Sequence, residues 1–448
     1  MFCDEILNSF EKIAVNYEVY LVGGYLRNYY INNEISEDRD LVVVGDSYAL
    51  ACEIAEKMNG TFIELDAENA IYRVVLQDKK NYFDVSKALN DNILEDAKRR
   101  DFSINSIFYN INKKEIYDPL NGIGDIKNKL LKTVDYNNFI DDPLRFLRLY
   151  RFMSLTGFVL DKELENFVKE NFSLINNVAF ERINYEIIKI FEGKYVGETL
   201  LKMFQDDVLE IIFPFVKEIK KIPNNSHHHL DLIHHSIETV KNIKTNNPIL
   251  KIAAFYHDIG KPATWTIEPV GRHRFIGHDI RGAEIVKKEL EYLKFSNKQI
   301  NYISKMIKYH IYPASLINSS DNKKAFARFV KKMGVDTLDV IELSRADRLS
   351  ALGEAITKEM LENSLNHLDN LQKYYESVRD IANAPKSLLD GIEIMEILNI
   401  KPSKIIGELI DELVEMQLSG EINSKEQAVR YIKNKAAKAN FNGTKIKQ

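Results

Sequence analysis

Two acids one residue apart, Asp38-Arg39-Asp40, stand directly before the apolar run Leu41-Val42-Val43-Val44. Side chains alternate across a strand, so both carboxylates face the same side at its start. Such a pair can hold a divalent cation; Mg²⁺ takes a few carboxylate oxygens, keeps its waters and completes its shell from phosphates. Upstream, an apolar strand over 20–22 meets Gly23-Gly24, where the missing Cβ atoms let backbone N–H groups approach a phosphate from a helix start. Arg27 falls one turn into that helix, near the same anion. A glycine pair alone is more often a turn, and D-x-D alone a solvated loop, but strand, GG, helix, D-x-D and strand in that order form a specific signal. A second set of groups lies downstream: His235, His257-Asp258, His278, His310 and Asp347, each within apolar helical periodicity. Imidazoles and carboxylates on helices can hold a divalent transition metal or Mg²⁺ with open positions, lower the pKa of bound water and clamp a phosphate. His227 to His229, after Pro223, read as a polar linker.

These groups need a framework. A chain of 448 residues exceeds one ordinary core, so two to four domains are expected, and 45% hydrophobic with 28% charged residues are ordinary globular values. A formal charge of −5 does not advertise a polyanion binder, so any RNA-binding surface must be local. Two cysteines, Cys3 and Cys52, are too few for a disulfide framework or a cysteine zinc site. No apolar run reaches the roughly 20 residues that span a bilayer, and the acidic start MFCDEILNSF is unlike a signal peptide, so a cytoplasmic location is expected. The period predicts a helix over 4–17, then β-rich runs at 42–44, 61–65, 72–77 and 81–85 with a helix over 47–58 between them: a small mixed sheet with helices on one side. After about residue 135 strand patterns vanish and apolar residues recur at three and four. The fold class is therefore α+β, with an elongated all-α remainder. The expected divisions are 1–135 for the head, 136–222 for a helical neck, 223–350 for the histidine-bearing domain and 351–448 for a helical tail. Residues 352–448 read as polar, and the basic end KNKAAKANFNGTKIKQ as a solvated tail, with an RNA-backbone contact as the alternative.

LVGGYLRN followed by D-R-D resembles the head of nucleotidyltransferases with a DNA polymerase β-type palm, and more narrowly the class II tRNA nucleotidyltransferases and their poly(A) polymerase relatives. The family's usual Asp is replaced here by Asn28. The resemblance implies that Asp38 and Asp40 hold Mg²⁺ and that Asp84, in the strand Tyr82-Phe83-Asp84-Val85, is a third carboxylate acting as ligand or base. The string Arg99-Arg100-Asp101-Phe102-Ser103-Ile104-Asn105 could be a basic helix cap, but it is similar to the family's RRDFTIN motif, which implies contacts from Arg99, Arg100, Asp101 and Asn105 to the nucleotide's triphosphate and sugar. A guanidinium fork suits phosphate oxygens. Tyr117-Asp118-Pro119 through Gly122 and Asp125 resembles the family's D-P-x-x-G-x-x-D turn, expected to couple head and neck.

In the neck, Asp141-Asp142-Pro143-Leu144-Arg145-Phe146-Leu147-Arg148 reads either as a capping Asp with an intrahelical Asp142–Arg145 pair, or, by resemblance to the family's E-D-x-x-R motif, as a protein template. Asp142 would accept from, and Arg145 donate to, the Watson–Crick edge of cytosine or adenine, with Arg148 also on the nucleotide. Glu181-Arg182 with Glu186 resembles the family's E-R-x-x-x-E segment, expected to brace the neck rather than touch substrate. The order H, HD, D looks like the HD superfamily of metal-dependent phosphohydrolases, with Gly260-Lys261 after the dyad. His235, His257, Asp258 and Asp347 would form a first site, and His278 with His310 a second metal position or a phosphate site; Mg, Mn, Ni and Fe all remain open.

The implied reaction is untemplated addition of C or A from CTP and ATP to the 3′ end of tRNA, with a phosphohydrolase activity beside it. Family members that build the whole CCA end carry a flexible loop of roughly a dozen or more residues before RRDF. Here Asp84 is followed by VSKALNDNILEDAK and then RRDF at once, and loss of that loop in the family accompanies enzymes that add two cytidines and stop. The expected subtype is CC-adding. A full CCA-adding enzyme, a poly(A) polymerase, or a nucleotide hydrolase with a non-catalytic head are the alternatives. The sequence assigns no oligomeric state.

Overall fold

A computed structural model describes residues 4–222, 231–269, 271, 273–318, 322–351 and 357–441. His227 to His229 and the last seven residues of the basic end lie outside them. The chain forms two compact units, Met1–Ile212 and Phe213–Gln448.

The first unit starts with α1 (Glu5–Ala14), whose first turn is capped by Asp4 accepting from the backbone N–H groups of Ile6 and Leu7. Its apolar stripe, Leu7, Phe10, Ile13 and Ala14, is buried, with Phe10 5.2 Å from Phe83. β1 (Glu18–Val22), α2 (Gly24–Asn32), β2 (Asp38–Val44), α3 (Ser47–Lys57), β3 (Thr61–Asp66), β4 (Ile71–Val75) and β5 (Tyr82–Lys87) follow. After α4 (Ile93–Lys98) come β6 (Phe108–Asn110), β7 (Glu115–Tyr117) and α5 (Gly122–Asn128). The sheet has seven strands in the order β3-β4-β5-β2-β1-β6-β7. It is mixed: β2 and β5 are parallel and the other pairs antiparallel. β6 and β7 were not expected; at three residues each they are too short for a period to show.

Register brings the acids together. Asp40 is paired with Val22 of β1 on one side and with Asp84 of β5 on the other. Arg39, between the two acids, points the opposite way and is 3% exposed, where its guanidinium meets Asp4 at 2.9 Å. The residue that separates the acids thus ties the sheet to the cap of α1, and strand alternation leaves both carboxylates on the other face.

Beyond the sheet, α6 (Asn137–Asp141), α7 (Arg145–Thr156), α8 (Lys162–Asn171), α9 (Phe180–Glu192) and α10 (Val196–Gln205) complete the first unit. α7 buries Phe146, Leu147, Leu149, Tyr150, Phe152 and Met153. In the second unit, Phe213 and Phe215 pack at 5.2 Å on Phe255, so the stretch after residue 212, expected in the neck, belongs to the histidine-bearing unit. The polar tail also needs correcting: Leu389, Ile394, Ile406, Leu409, Leu413, Ile422, Ala428 and Ile432 form a buried cluster there. These apolar residues recur among many charges, so average polarity hid a packed core. No helix among the described residues is long and apolar enough to cross a membrane.

Candidate functional site

Asp38, Asp40 and Asp84 each offer an oxygen within 4.8 Å of the others. Burial and the neighbouring Asp38 push the Asp40 carboxyl up to about 7, and burial with Asp84 raises Asp38. Three carboxylates crowded in low dielectric are costly unless a cation shares them. Asp38 Oδ1 is buried without a hydrogen-bond partner, so an acceptor stands ready for one. Oxygen donors of this kind fit a hard divalent ion. Asp84 is engaged on both oxygens by the Arg73 fork, at 2.7 and 2.7 Å, a partner the sequence did not suggest. Gly23 has a positive φ of 74°, and a Cβ there would lie 2.6 Å from Asp40 Oδ2. The first glycine therefore makes room for the carboxylate as much as for a phosphate.

The RRDFSIN segment splits its duties. Asp96, fully buried on α4, receives Arg99 Nε at 2.7 Å and Arg100 Nη2 at 2.9 Å. Arg100 faces the cleft, but the Arg99 side chain turns out to Asp96 and is 47% exposed; only its backbone carbonyl is used, accepting from Arg145 Nη2 at 2.9 Å. Asp101 accepts from Asn105 Nδ2 at 2.8 Å and from Arg148 Nε and Nη2 at 2.9 and 2.5 Å, so it aims those two side chains. Asn105 in turn accepts from Arg27 Nη1 at 2.7 Å. Arg27 Nε and Nη2 both reach Asn28 Oδ1 at 3.2 and 3.0 Å, so the amide at this position still acts as an acceptor. The Asp118 turn binds within the head rather than to the neck: Asp118 caps Gly122 N–H at 2.7 Å, and Asp125 accepts from Ser103 Oγ at 2.6 Å.

From α7, Arg145, Arg148 and Arg151 project as an i, i+3, i+6 stripe. Arg27, Arg148 and Arg151 surround the Phe152 ring at 4.8, 5.7 and 4.9 Å. Burial, with Arg151 nearby, lowers Arg27 to about 10, so like charges are held together before any anion is present. Arg151 was missed by the sequence reading, though its spacing from Arg148 was visible. Glu186, 2% exposed, braces the stripe through Arg151 at 3.0 Å and Arg148 at 4.0 Å.

Asp142 departs from expectation. It ends α6 with φ −132° and ψ 87° and its side chain does not cap α7; its carboxylate accepts not from Arg145 but from Arg182 Nη2 of α9, at 3.1 and 3.3 Å. Arg182, expected to act away from substrate, faces the cleft. A single cleft of about 450 Å³ is lined by Gly23, Gly24, Arg27, Asp38, Asp40, Arg100, Asp101, Asn105, Asp142, Arg145, Arg148, Arg151, Phe152 and Arg182. Acids, phosphate-sized positive charge and an acceptor–donor pair thus meet in one space within the first unit.

In the second unit, five helices bring six side chains together. His235 comes from helix Leu232–Asn242, His257 and Asp258 from the end of Pro248–Tyr256, His278 from the start of His278–Tyr292, His310 from the end of Asn297–Tyr309, and Asp347 from Thr337–Ser350. His257, His278 and His310 each donate Nδ1–H to a backbone carbonyl, of Ala254 at 2.7, Phe275 at 2.8 and Ile307 at 2.6 Å. In the neutral form of these three rings that arrangement turns the Nε2 lone pair inward, the tautomer a metal ligand needs. His235 Nε2 lies 3.2 Å from His257 Nε2 and 3.0 Å from Asp347 Oδ1, and His278 Nε2 lies 3.3 Å from His310 Nε2. Asp258 belongs to both groups, with Oδ2 3.3 Å from His257 and Oδ1 3.4 Å from His278. The expectation gave Asp258 to the first site alone; the structure puts it between two. Burial opposes charge on His257, yet Asp258 and Asp347 push it up to about 10, whereas burial and His257 pull His310 down to about 4.

Comparison with known proteins adds independent observations. Residues 19–132 match the family described as the poly A polymerase head domain, 157–220 the probable RNA and SrmB-binding site of polymerase A, and 227–352 the HD domain. The chain is 28% identical to the A-adding tRNA nucleotidyltransferase of Deinococcus radiodurans, covering 92% of this chain and 94% of that one. It is 27% identical to the CC-adding tRNA nucleotidyltransferase of Synechocystis sp., covering 92% of each. Among solved structures, the Thermotoga maritima CCA-adding enzyme complexed with tRNA superposes with a TM-score of 0.64 at 21% identity, over 96% of this chain and 95% of that chain. The Bacillus stearothermophilus CCA-adding enzyme in complex with CTP gives 0.66 at 17% identity, over 98% of each.

Proposed function

We infer that this chain, which belongs to the class II tRNA nucleotidyltransferase and poly(A) polymerase family, extends the 3′ end of tRNA with nucleotides from CTP or ATP without a nucleic-acid template. The observation that carries this is the convergence on one cleft of the Asp38 and Asp40 pair, the arginine stripe around Phe152 and the Asp142 and Arg145 pair. In the reaction the terminal hydroxyl oxygen of the tRNA bonds to the α-phosphorus, the bond to the bridging oxygen breaks and pyrophosphate leaves; the hydroxyl proton departs through the acid cluster. Asp38 and Asp40 would hold Mg²⁺, with Asp84 beside them, and the ion supplies charge compensation and in-line alignment for phosphoryl transfer. Arg27, Arg100, Arg148 and Arg151 neutralise the triphosphate, kept aimed by Asn105, Asp96, Asp101 and Glu186 respectively. Asp142 accepts from the exocyclic amine of cytosine or adenine and Arg145 donates to the adjacent ring nitrogen. Guanine and uracil present a carbonyl to Asp142 and are repelled. A cytoplasmic location fits a tRNA substrate.

The favoured product is CC. Only the stretch from Val85 to Lys98 separates Asp84 from Arg99, and most of it is the end of β5 and the short α4, leaving no long loop for a switch to ATP. The similarity to an A-adding enzyme keeps the single-A product as a second reading. Incubating tRNA that lacks its last three nucleotides, and in parallel tRNA ending in CC, with CTP and ATP, then sequencing the products, decides between them. Two cytidines added to the first and nothing to the second are expected; a full CCA end on the first, or A added only to the second, overturns the CC subtype, a long A tract identifies a poly(A) polymerase, and no addition to either overturns the whole reading.

The second unit is proposed to be a phosphohydrolase. The donor set fits a borderline or hard divalent ion, Mg, Mn, Ni or Fe, and two such positions share Asp258. Phosphate ends of RNA, including 2′,3′-cyclic phosphates, are the proposed substrates. Replacing Asp38 and Asp40 by Ala should abolish nucleotide addition and leave that hydrolysis intact.

A further inference from the structure

Arg182 is exposed enough to look dispensable. Its side chain is 54% exposed and that of Asp142 35%, so their ion pair sits in water, where such pairs contribute about 0–1 kcal/mol to stability. Bracing in this region already comes from elsewhere: Glu186, almost fully buried, ties Arg148 and Arg151. The geometry of the Asp142 pair is also unlike a brace. One nitrogen, Nη2, reaches both carboxylate oxygens at 3.1 and 3.3 Å, which fixes the plane of the carboxylate while leaving lone pairs on each oxygen for a second donor. Across from it, Arg145 is tethered by the Arg99 carbonyl through Nη2, and its Nη1 is buried with no hydrogen-bond partner. An oriented acceptor and an unmatched donor therefore face the same cleft. A buried donor without an acceptor is costly and asks for a ligand atom.

We propose that Arg182 is a specificity-determining positioning residue: it fixes the Asp142 carboxylate in the orientation that admits the amino edge of cytosine or adenine and rejects the carbonyl edge of uracil or guanine. The proposal rests on the base-reading role given above to Asp142 and Arg145. Arg182 does not touch the base. Without it the carboxylate rotates freely, and a rotated carboxylate discriminates poorly, because selection here comes from an acceptor fixed opposite the exocyclic group. The bond to the reacting phosphate is untouched, so the loss falls on selectivity rather than on turnover.

The test uses the full chain and tRNA lacking its last three nucleotides, with kcat and KM measured separately for CTP and UTP. Arg182→Ala should lower the CTP-over-UTP ratio of kcat/KM by about tenfold or more while kcat for CTP stays within about threefold. Arg182→Lys should recover part of the ratio, since a single nitrogen makes the contact. In an Asp142→Asn background, Arg182→Ala should add nothing. If Asp142→Asn relaxes selectivity and Arg182→Ala does not, Arg182 is not the positioning residue, and base reading stands. If Asp142→Asn leaves selectivity unchanged, the base-reading role falls and this proposal with it. A rise in the CTP rate of Arg182→Ala above the parent would mean that Arg182 competes with the base for Asp142, which also overturns it. Should Arg182→Ala unfold, Arg182→Lys and Arg182→Gln carry the comparison, with a ratio intact in Arg182→Gln refuting the proposal.

Discussion

Replacing Gly23 by Ala should separate the catalytic from the structural demands on the head. The added Cβ would lie 2.6 Å from Asp40 Oδ2, whereas ordinary contact begins at 3.4 Å. The carboxylate must therefore retreat by about 0.8 Å, the difference between the two. A shift near 1 Å in a catalytic group costs about 10²-fold in rate. The backbone adds strain, because φ of 74° with ψ of −133° lies outside the regions open to L residues and costs about 1–3 kcal/mol. For a unit of this size each kcal/mol moves Tm by about 2–4 °C, so the first unit should melt about 2–12 °C lower. Gly24→Ala is the control for stability: its Cβ would meet nothing nearer than Arg27 Nη2, at 3.6 Å, an ordinary contact, so its Tm should match the parent. Single-turnover addition of CTP at saturating substrate, with calorimetry on both variants, measures the two effects. A Gly23→Ala chain with parental rate and Tm would refute the link between this glycine and the position of Asp40.

Arg39→Ala leaves Asp4 buried without its cation and should destabilise the first unit by about 3–5 kcal/mol in chemical denaturation; a loss below 1 kcal/mol would show that the pair does not tie the sheet to α1. Burial raises the Glu289 carboxyl to about 7, although Tyr256 donates to it at 2.9 Å. Its folded-state pKa exceeds the unfolded value, so the neutral form stabilises the second unit at low pH, and that contribution is lost as pH climbs from the ordinary Glu range through 7. Glu289→Gln should flatten the stability profile across that window, and an unchanged profile would contradict the assignment. In an Asp38→Ala, Asp40→Ala background, metal analysis of the second unit should find up to two ions per chain, with Asp258→Asn losing both and His278→Ala one; equal losses would argue against Asp258 standing between two positions.

The parts legible in the sequence are those written in local order. Gly23-Gly24, Asp38-Arg39-Asp40 and the strand after them specify a face, and the sheet register then brings in Asp84, the third carboxylate that the family resemblance implied. The six histidine and aspartate positions that the structure brings together in the second unit were singled out by their H, HD, D order and its family resemblance, each sitting at a helix end or on an apolar helix whose period is plain. What stayed hidden depends on long-range partners. Asp96 looked like any helix acid, yet full burial makes it the anchor of Arg99 and Arg100. Arg182 and Asp142 are 40 residues apart, and no local pattern joins them, so the intrahelical pairing with Arg145 looked the simpler arrangement. Arg151 was within reach of a spacing argument; the three-residue interval from Arg145 through Arg148 runs on to it. The strands β6 and β7 are held by their neighbours rather than by their own composition, which no period within three residues can reveal.

The central claim is that acids 38 and 40 and the pair Asp142 and Arg145 engage opposite ends of one nucleotide. A crystal structure of the chain with CTP, Mg²⁺ and a tRNA ending before the CCA positions measures it directly. The expected density places the triphosphate among Arg27, Arg100 and Arg148 beside the two acids, with the cytosine amine within hydrogen-bond reach of Asp142. A triphosphate seated at those acids with its base turned away from Asp142 and Arg145, or a nucleotide bound elsewhere, would contradict it.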